Sequence, residues 1–127
     1  MVAPPRTVFQ RNEIAAVKLA VQLRSGYHVN SNTPSEDYLI PLRLTWEPGA
    51  FEAAETIYPK PHFEKYSFAD KPLSVFTGDF EIVARLKPVK VSAGMGILLG
   101  KLRYQACSTT ACLPPKTVEV RVPYETR

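Results

Sequence analysis

The chain has 127 residues, 45% hydrophobic and 22% charged, with a formal net charge of +4. That length is enough for one domain, 1–127, with an adequate core. Its Lys and Arg are scattered with no run of four, which argues against a nucleic-acid surface, and no apolar run reaches the ~18 residues that span a bilayer.

Twelve prolines, about twice the usual share, disfavour long helices and suit short strands with stiff connections. Residues 1–12 read as a loose N-terminal arm with a short strand at Thr7-Val8-Phe9, and Met1 to Arg6 lacks the apolar segment of a signal peptide. Val17, Leu19, Val21 and Leu23 alternate with Lys18, Ala20, Gln22 and Arg24, the period of a half-buried strand. Ser25-Gly26 ends it, and Tyr27-His28-Val29 precedes a turn-rich stretch from Asn30 to Ser35. Tyr38, Ile40, Leu42, Leu44 and Trp46 alternate again, with Pro41 favouring an edge or a bulge. Trp46 is the largest core candidate, and its indole N–H needs a partner once buried.

Residues 48–72 read as irregular, with at most one helical turn between Ala50 and Thr56. The aromatics Tyr58, Phe63, Tyr66 and Phe68 argue that this connection is ordered and functional. Strands return at Leu73-Ser74-Val75-Phe76 and, after a Thr77-Gly78-Asp79 turn, over Phe80 to Leu86. A turn at Ser92 to Gly96 leads to a strand from Ile97 to Ala106, with Leu98, Leu102, Tyr104 and Ala106 inward. The last strand is Thr117 to Val122, with Val118, Val120 and Val122 inward. Some seven short strands without a helix predict an all-β sandwich.

Both cysteines lie in one short stretch, Cys107 and Cys112, between the last two strands. A hairpin with a four-residue loop, Ser108 to Ala111, sets them opposite each other. Non-hydrogen-bonded pairs there have Cα atoms about 4.5 Å apart, so a disulfide is sterically plausible. Strict pairing from that point would place Lys101 opposite Val118, a charge on a core face. A one-residue slip at Leu113-Pro114-Pro115 repairs the pattern, since neither proline can donate to the ladder.

Such a short loop adds only about 2 kcal/mol as a staple in the loop-entropy view. A redox pair needs instead a sulfur that can be attacked. Spacing alone leaves staple and redox pair level. Zinc is disfavoured because His28 and His62 stand far upstream without paired spacing, and each reads as a surface or satisfied residue. No nucleophile elbow or phosphate-binding loop is present. A Cys–His hydrolase pair would leave the second cysteine unexplained.

Tyr104-Gln105-Ala106-Cys107, four residues, then Cys112-Leu113-Pro114-Pro115 resembles the active-site hairpin of the N-terminal periplasmic domain of the thiol:disulfide interchange protein DsbD, with its Tyr-Gln-Gly-Cys…Cys-Tyr-Pro-Pro motif. Gly26-Tyr27-His28 sits where that family has Gly-Tyr-Tyr, and Phe63 to Lys71 aligns with its cap loop. The resemblance runs from about residue 15 to 122, with only the cysteine motif specific.

The resemblance implies an immunoglobulin-like sandwich with an irregular aromatic cap loop, relaying reducing equivalents in the periplasm. Cys112 would exchange with partners and Cys107 would resolve the mixed disulfide. Phe68 would be the gate, Tyr27 would line the pocket beneath it, and Tyr66 and Glu64 would stand beside it. The partners implied are thioredoxin-like redox proteins, met by transient mixed disulfide. The domain would act as a monomer with no bound cofactor or metal and no membrane contact of its own, tethered or fused to a membrane electron-transfer protein.

The chain departs from the family in three ways: a four-residue inter-cysteine loop instead of five, Tyr66-Ser67 in place of an acidic pair before the cap phenylalanine, and no transmembrane portion in these residues. If that acidic pair tunes proton transfer to the thiolate, this chain does so differently or less well. The competing expectation is an immunoglobulin-like adhesion or binding module with a structural disulfide.

Overall fold

A computed structural model of the chain describes residues 2–3, 7–9, 13–36, 38–89 and 94–126. The strands are β1 (Val2–Ala3), β2 (Thr7–Phe9), β3 (Ala15–Gln22), β4 (His28–Asn30), β5 (Arg43–Trp46), β6 (Phe51–Ile57), β7 (His62–Glu64), β8 (Leu73–Thr77), β9 (Asp79–Pro88), β10 (Gly94–Tyr104), β11 (Ala106–Cys107) and β12 (Lys116–Thr126). Among the described residues there is no helix.

Two four-stranded sheets, ordered β1-β3-β9-β6 and β2-β12-β10-β5, supply nearly all of the main core. Every pairing is antiparallel except β2 with β12. The alternation in β3 is realised in full: Val17, Leu19 and Val21 are buried while Lys18, Ala20 and Gln22 are exposed. Ile82, Ala84 and Leu86 of β9 meet them from the same sheet, and Leu44, Leu102, Val120 and Val122 face them from the other. Fully burying one such aliphatic side chain is worth about 1.5–3 kcal/mol, so the period-two pattern by itself accounts for the packing of the two layers. The architecture is an immunoglobulin-like sandwich.

A third sheet, ordered β11-β4-β8-β7, follows from the ends of β3 and β10. It shares Val29 and Phe76 with the main core, then closes over a separate small cluster of Tyr66, Leu73 and Val75. Its buried residues include the polar His28, Asn30, Ser31 and Ser74. Hydrogen bonds tie these together: Ser31 and Ser74 hydroxyls lie 2.7 Å apart, the Ser74 N–H donates to Ser35 Oγ at 2.9 Å, and Asn30 Nδ2 donates to the Ile40 carbonyl at 3.1 Å.

Several sequence expectations are corrected. Phe51–Ile57 is a strand, not a helical turn, and pairs along β9 with a bulge between Ala53 and Glu55. It is an edge strand that buries only Phe51 fully, so its Ala- and Glu-rich middle carries no alternation. The expected strand from Tyr38 shrinks to β5, because Pro41 precedes the paired residues and Tyr38 is largely exposed.

Of the expected turn at Ser92 to Gly96, Ser92 and Ala93 lie outside the described residues, whereas Gly94 to Gly96 belong to β10 and pair with Thr126 to Tyr124. Trp46 packs against the core, yet its indole N–H has no partner among the described residues. Gly100 sits beneath that ring. A Cβ there would fall 2.8 Å from Trp46 Cε3 and 2.9 Å from the Thr45 carbonyl oxygen, so the ring and the β5 backbone approach this closely only over glycine.

Candidate redox site

The site begins where the β10–β12 ladder breaks. Pairing runs regularly through Lys101↔Glu119 and Leu102↔Val118 to Tyr104↔Lys116, but the cysteines pair as Cys107↔Cys112. Two residues, Gln105 and Ala106, therefore face three, Leu113 to Pro115, which is the one-residue offset the Lys101 charge requires. The two prolines cannot donate, and Gln105 Nε2 spans the gap to the Leu113 carbonyl at 3.2 Å.

Beyond the break the chain pairs once more. The Ser108 N–H donates to the Ala111 carbonyl at 2.8 Å, and the Leu113 N–H to the Ala106 carbonyl at 2.9 Å. These bonds flank the cysteines and leave them as a non-hydrogen-bonded pair, the closer of the two antiparallel arrangements. Their Cα atoms are 3.9 Å apart, and Cys107 and Cys112 form a disulfide with an S–S length of 2.02 Å. Ser108 Oγ closes the loop by accepting from the N–H groups of Thr110 and Ala111 at 3.3 and 3.2 Å.

The two sulfurs have unequal surroundings. Cys107 is 1% exposed, whereas Cys112 belongs to the exposed hairpin end that runs through Leu113 to the prolines. Cys107 owes its burial to β4. Gly26, at a φ of 85° that suits a residue without Cβ, turns the chain so that Tyr27 lies outward and His28 inward. His28 is then paired with Cys107 on one side and with Thr77 of β8 on the other. It is 2% exposed.

The segment after β7 lies over this strand. Tyr66 stacks on His28 with ring centroids 4.0 Å apart and planes 13° apart, and Phe68 lies parallel to both rings at 5.5 and 6.3 Å. Ser67 Oγ donates to the Thr109 carbonyl at 3.2 Å, linking this segment to the inter-cysteine loop. Lys65 Nζ holds the turn by donating to the carbonyls of Tyr66 and Ala69.

The Tyr66 hydroxyl donates to Glu64 Oε2 at 2.8 Å, and Glu64 Oε1 is 3.2 Å from His62 Nε2. Burial, reinforced by that bond to Glu64 and its charge, pushes the Tyr66 phenol well above its usual range. Burial pushes the His28 imidazole down, with the Glu64 carboxylate partly opposing it, so His28 is neutral at neutral pH.

The six residues singled out from the sequence occupy one end of the fold. Tyr27, Glu64 and Tyr66 line a crevice of about 350 Å³ together with His28 and Thr109 of the inter-cysteine loop. Phe68 stacks on its wall, and the Cys107–Cys112 bond lies at the head of that loop. Sequence reasoning missed His28, which is neither a surface residue nor a satisfied one: its Nε2 is buried without a hydrogen-bond partner among the described residues. The available signal was its place directly after the Gly26 turn, at the head of the strand that pairs with the first cysteine. Among the described residues no cluster of His, Cys, Asp and Glu converges to hold a metal ion.

Residues 2–123 match the family described as thiol:disulfide interchange protein DsbD, N-terminal. The chain belongs to the DsbD N-terminal domain family. Among solved structures it is similar to the DsbD N-terminal domain of Neisseria meningitidis in the reduced form, with a TM-score of 0.59 and 16% identity over 87% of this chain and 78% of that one. It is also similar to the N-terminal periplasmic domain of ScsB from Proteus mirabilis, with a TM-score of 0.66 and 15% identity. That match covers 95% of this chain but 44% of the other, so the chain spans less than half of its length. No curated protein sequence matches. Membership of the DsbD N-terminal family, joined to a formed Cys107–Cys112 bond, supports thiol:disulfide interchange over the adhesion-module alternative.

Proposed function

We propose that this chain is a periplasmic interchange domain that passes reducing equivalents to thioredoxin-like partners. In the dithiol form the Cys112 thiolate attacks a partner disulfide, forming a Cys112–partner bond and releasing one partner thiolate. The Cys107 thiolate then attacks Cys112 Sγ, closing the intramolecular disulfide and releasing the second partner sulfur. Two electrons pass from the Cys107/Cys112 pair to the partner, and the partner thiolates take up the protons that the two cysteines lost. The electrons are restored by a membrane electron-transfer protein to which the domain is tethered or fused.

The observation that carries this reading is the inequality within one disulfide: Cys112 is exposed and Cys107 is buried. An incoming thiol or disulfide reaches an exposed sulfur, and a resolving sulfur needs only to reach its neighbour. Phe68, 39% exposed over the stack, acts as the gate: its ring excludes small thiols and gives way to a protein surface that offers compensating contacts.

Single-cysteine variants test the division of labour. With an oxidised thioredoxin-like protein, Cys107→Ser is expected to accumulate a stable mixed disulfide on Cys112, visible by non-reducing electrophoresis. Cys112→Ser is expected to accumulate almost none. Equal trapping by both variants, or trapping through Cys107 alone, would refute the assignment.

A further inference from the structure

We propose that His28 is the proton-exchange group of Cys107: its imidazole takes the thiol proton when Cys107 resolves the mixed disulfide and returns it on the reverse step. This rests on the interchange reading above and names the group that serves its second step.

Three observations converge on His28. Its Cα is the register partner of Cys107 across β4 and β11, and directly opposite residues share one face of the sheet with Cβ atoms about 4.5–5.5 Å apart. The ring is 2% exposed and fixed by its stack on Tyr66, so it cannot turn out to water. Its Nε2 nevertheless has no hydrogen-bond partner among the described residues. A buried polar atom left unpaired is costly and calls for an explanation.

The redox state supplies one. In the disulfide, Cys107 Sγ carries no proton and offers a ring nitrogen nothing to accept. Reduction of the bond gives Cys107 an S–H, a donor from which the unprotonated nitrogen of a neutral imidazole can accept. The orphaned nitrogen is thus the oxidised half of a cycle whose reduced half completes the hydrogen bond.

The step balances. His28 takes the Cys107 proton and becomes imidazolium, and the Cys107 thiolate forms the bond to Cys112 Sγ. The Cys112–partner bond breaks, the leaving partner sulfur carries the electron pair away, and the imidazolium proton passes to that thiolate or to water. Burial keeps the imidazole neutral beforehand, as a base must be. The titratable and charged groups around it are Arg24 and Tyr27 from the turn before β4, Glu64 and His62 from β7, and Tyr66 from the cap. β11 presents the Cys107 thiol itself once the bond is reduced, and the register partner on β8, Thr77, does not titrate. The Glu64 carboxylate favours the imidazolium formed during the step.

The test uses the reduced chain and dithiobis(nitrobenzoate), at reagent concentrations that make the first release of thionitrobenzoate fast. The second release then reports the attack of Cys107 on Cys112. His28→Phe keeps the aromatic stack. At neutral pH it is expected to slow the second release by about a hundredfold. The deficit should close as pH rises into the alkaline range where the Cys107 thiol ionises without help. A deficit equal at every pH, or an unchanged profile, would overturn the proposal.

Should His28→Phe fail to fold, the His28 ring resonances of the unsubstituted chain decide the matter. A titration that differs between disulfide and dithiol forms supports the exchange, and identical titrations overturn it. A wild-type chain that shows no second release at any pH overturns the interchange reading itself, which no His28 variant would do.

Discussion

The sandwich and the end sheet solve the same problem by different means. In the sandwich, aliphatic side chains from β3, β9, β10 and β12 fill the interior and need no polar partners. The end sheet has a small separate core of Tyr66, Leu73 and Val75, with Leu39 and Ala69 packed against it. It is held instead by hydroxyl and amide bonds around Ser31, Ser74 and Asn30 and by stacked rings. The first kind of interior is indifferent to redox state and pH. The second contains a disulfide, an unpaired imidazole and a phenol bonded to a carboxylate, each of which changes when protons or electrons arrive. The proposed chemistry falls in the region whose packing is not purely apolar.

The largest effect that sharpens this contrast is in the sandwich. Leu19→Ala removes a fully buried side chain from β3 and is expected to cost about 2–5 kcal/mol in denaturant unfolding. The reactivity of Cys112 in the folded protein should stay unchanged. Altered Cys112 kinetics in that variant would mean the two regions are not separable.

A smaller effect belongs to the end sheet. The folded state holds the His28 imidazole below its unfolded value of 6.5, so the unfolded chain binds that proton more readily. The stability associated with neutral His28 is present above pH 6.5 and lost as pH falls through the lowered value. Denaturant midpoints for wild type are therefore expected to fall on acidification, and the fall should be shallower in His28→Phe. Parallel curves would show that His28 does not resist protonation.

The smallest stability effect concerns Phe68, and its kinetic effect is the informative one. Phe68→Ala is expected to change unfolding free energy by no more than about 0.5–1 kcal/mol, since the ring is partly exposed. Alkylation of the reduced cysteines by iodoacetamide should become several-fold faster. Unchanged alkylation would remove Phe68 as a gate.

The same contrast governs what the sequence revealed. β3 and β9 are legible because one face is buried and the other wet, which writes a period of two. The ladder offset beside the cysteines is legible too, because Lys101 and Val118 cannot share a face. β6 is not, since an edge strand with one fully buried residue leaves no pattern to read. β8 is legible as a short run, Leu73 to Phe76, although all four residues are buried, whereas β4 is hard because His28, Val29 and Asn30 are all buried and alternation vanishes.

The start of β10 is obscured by Gly94 and Gly96, which resemble a turn, although Gly96 in fact lets the Tyr124 ring lie against the strand. At the site, the cysteines and the aromatic segment are visible as motifs. The burial of His28 is not, because it depends on a ring delivered from a distant segment, Tyr66.

The central claim is that the Cys107–Cys112 bond is exchanged and not merely structural. Equilibration of the chain with glutathione or dithiothreitol couples, read by alkylation of free thiols, tests it most directly. A midpoint between about −180 and −270 mV, in the range of working dithiol carriers, with the fold intact in both states, is the predicted result. A midpoint below about −300 mV, where structural disulfides lie, would contradict it.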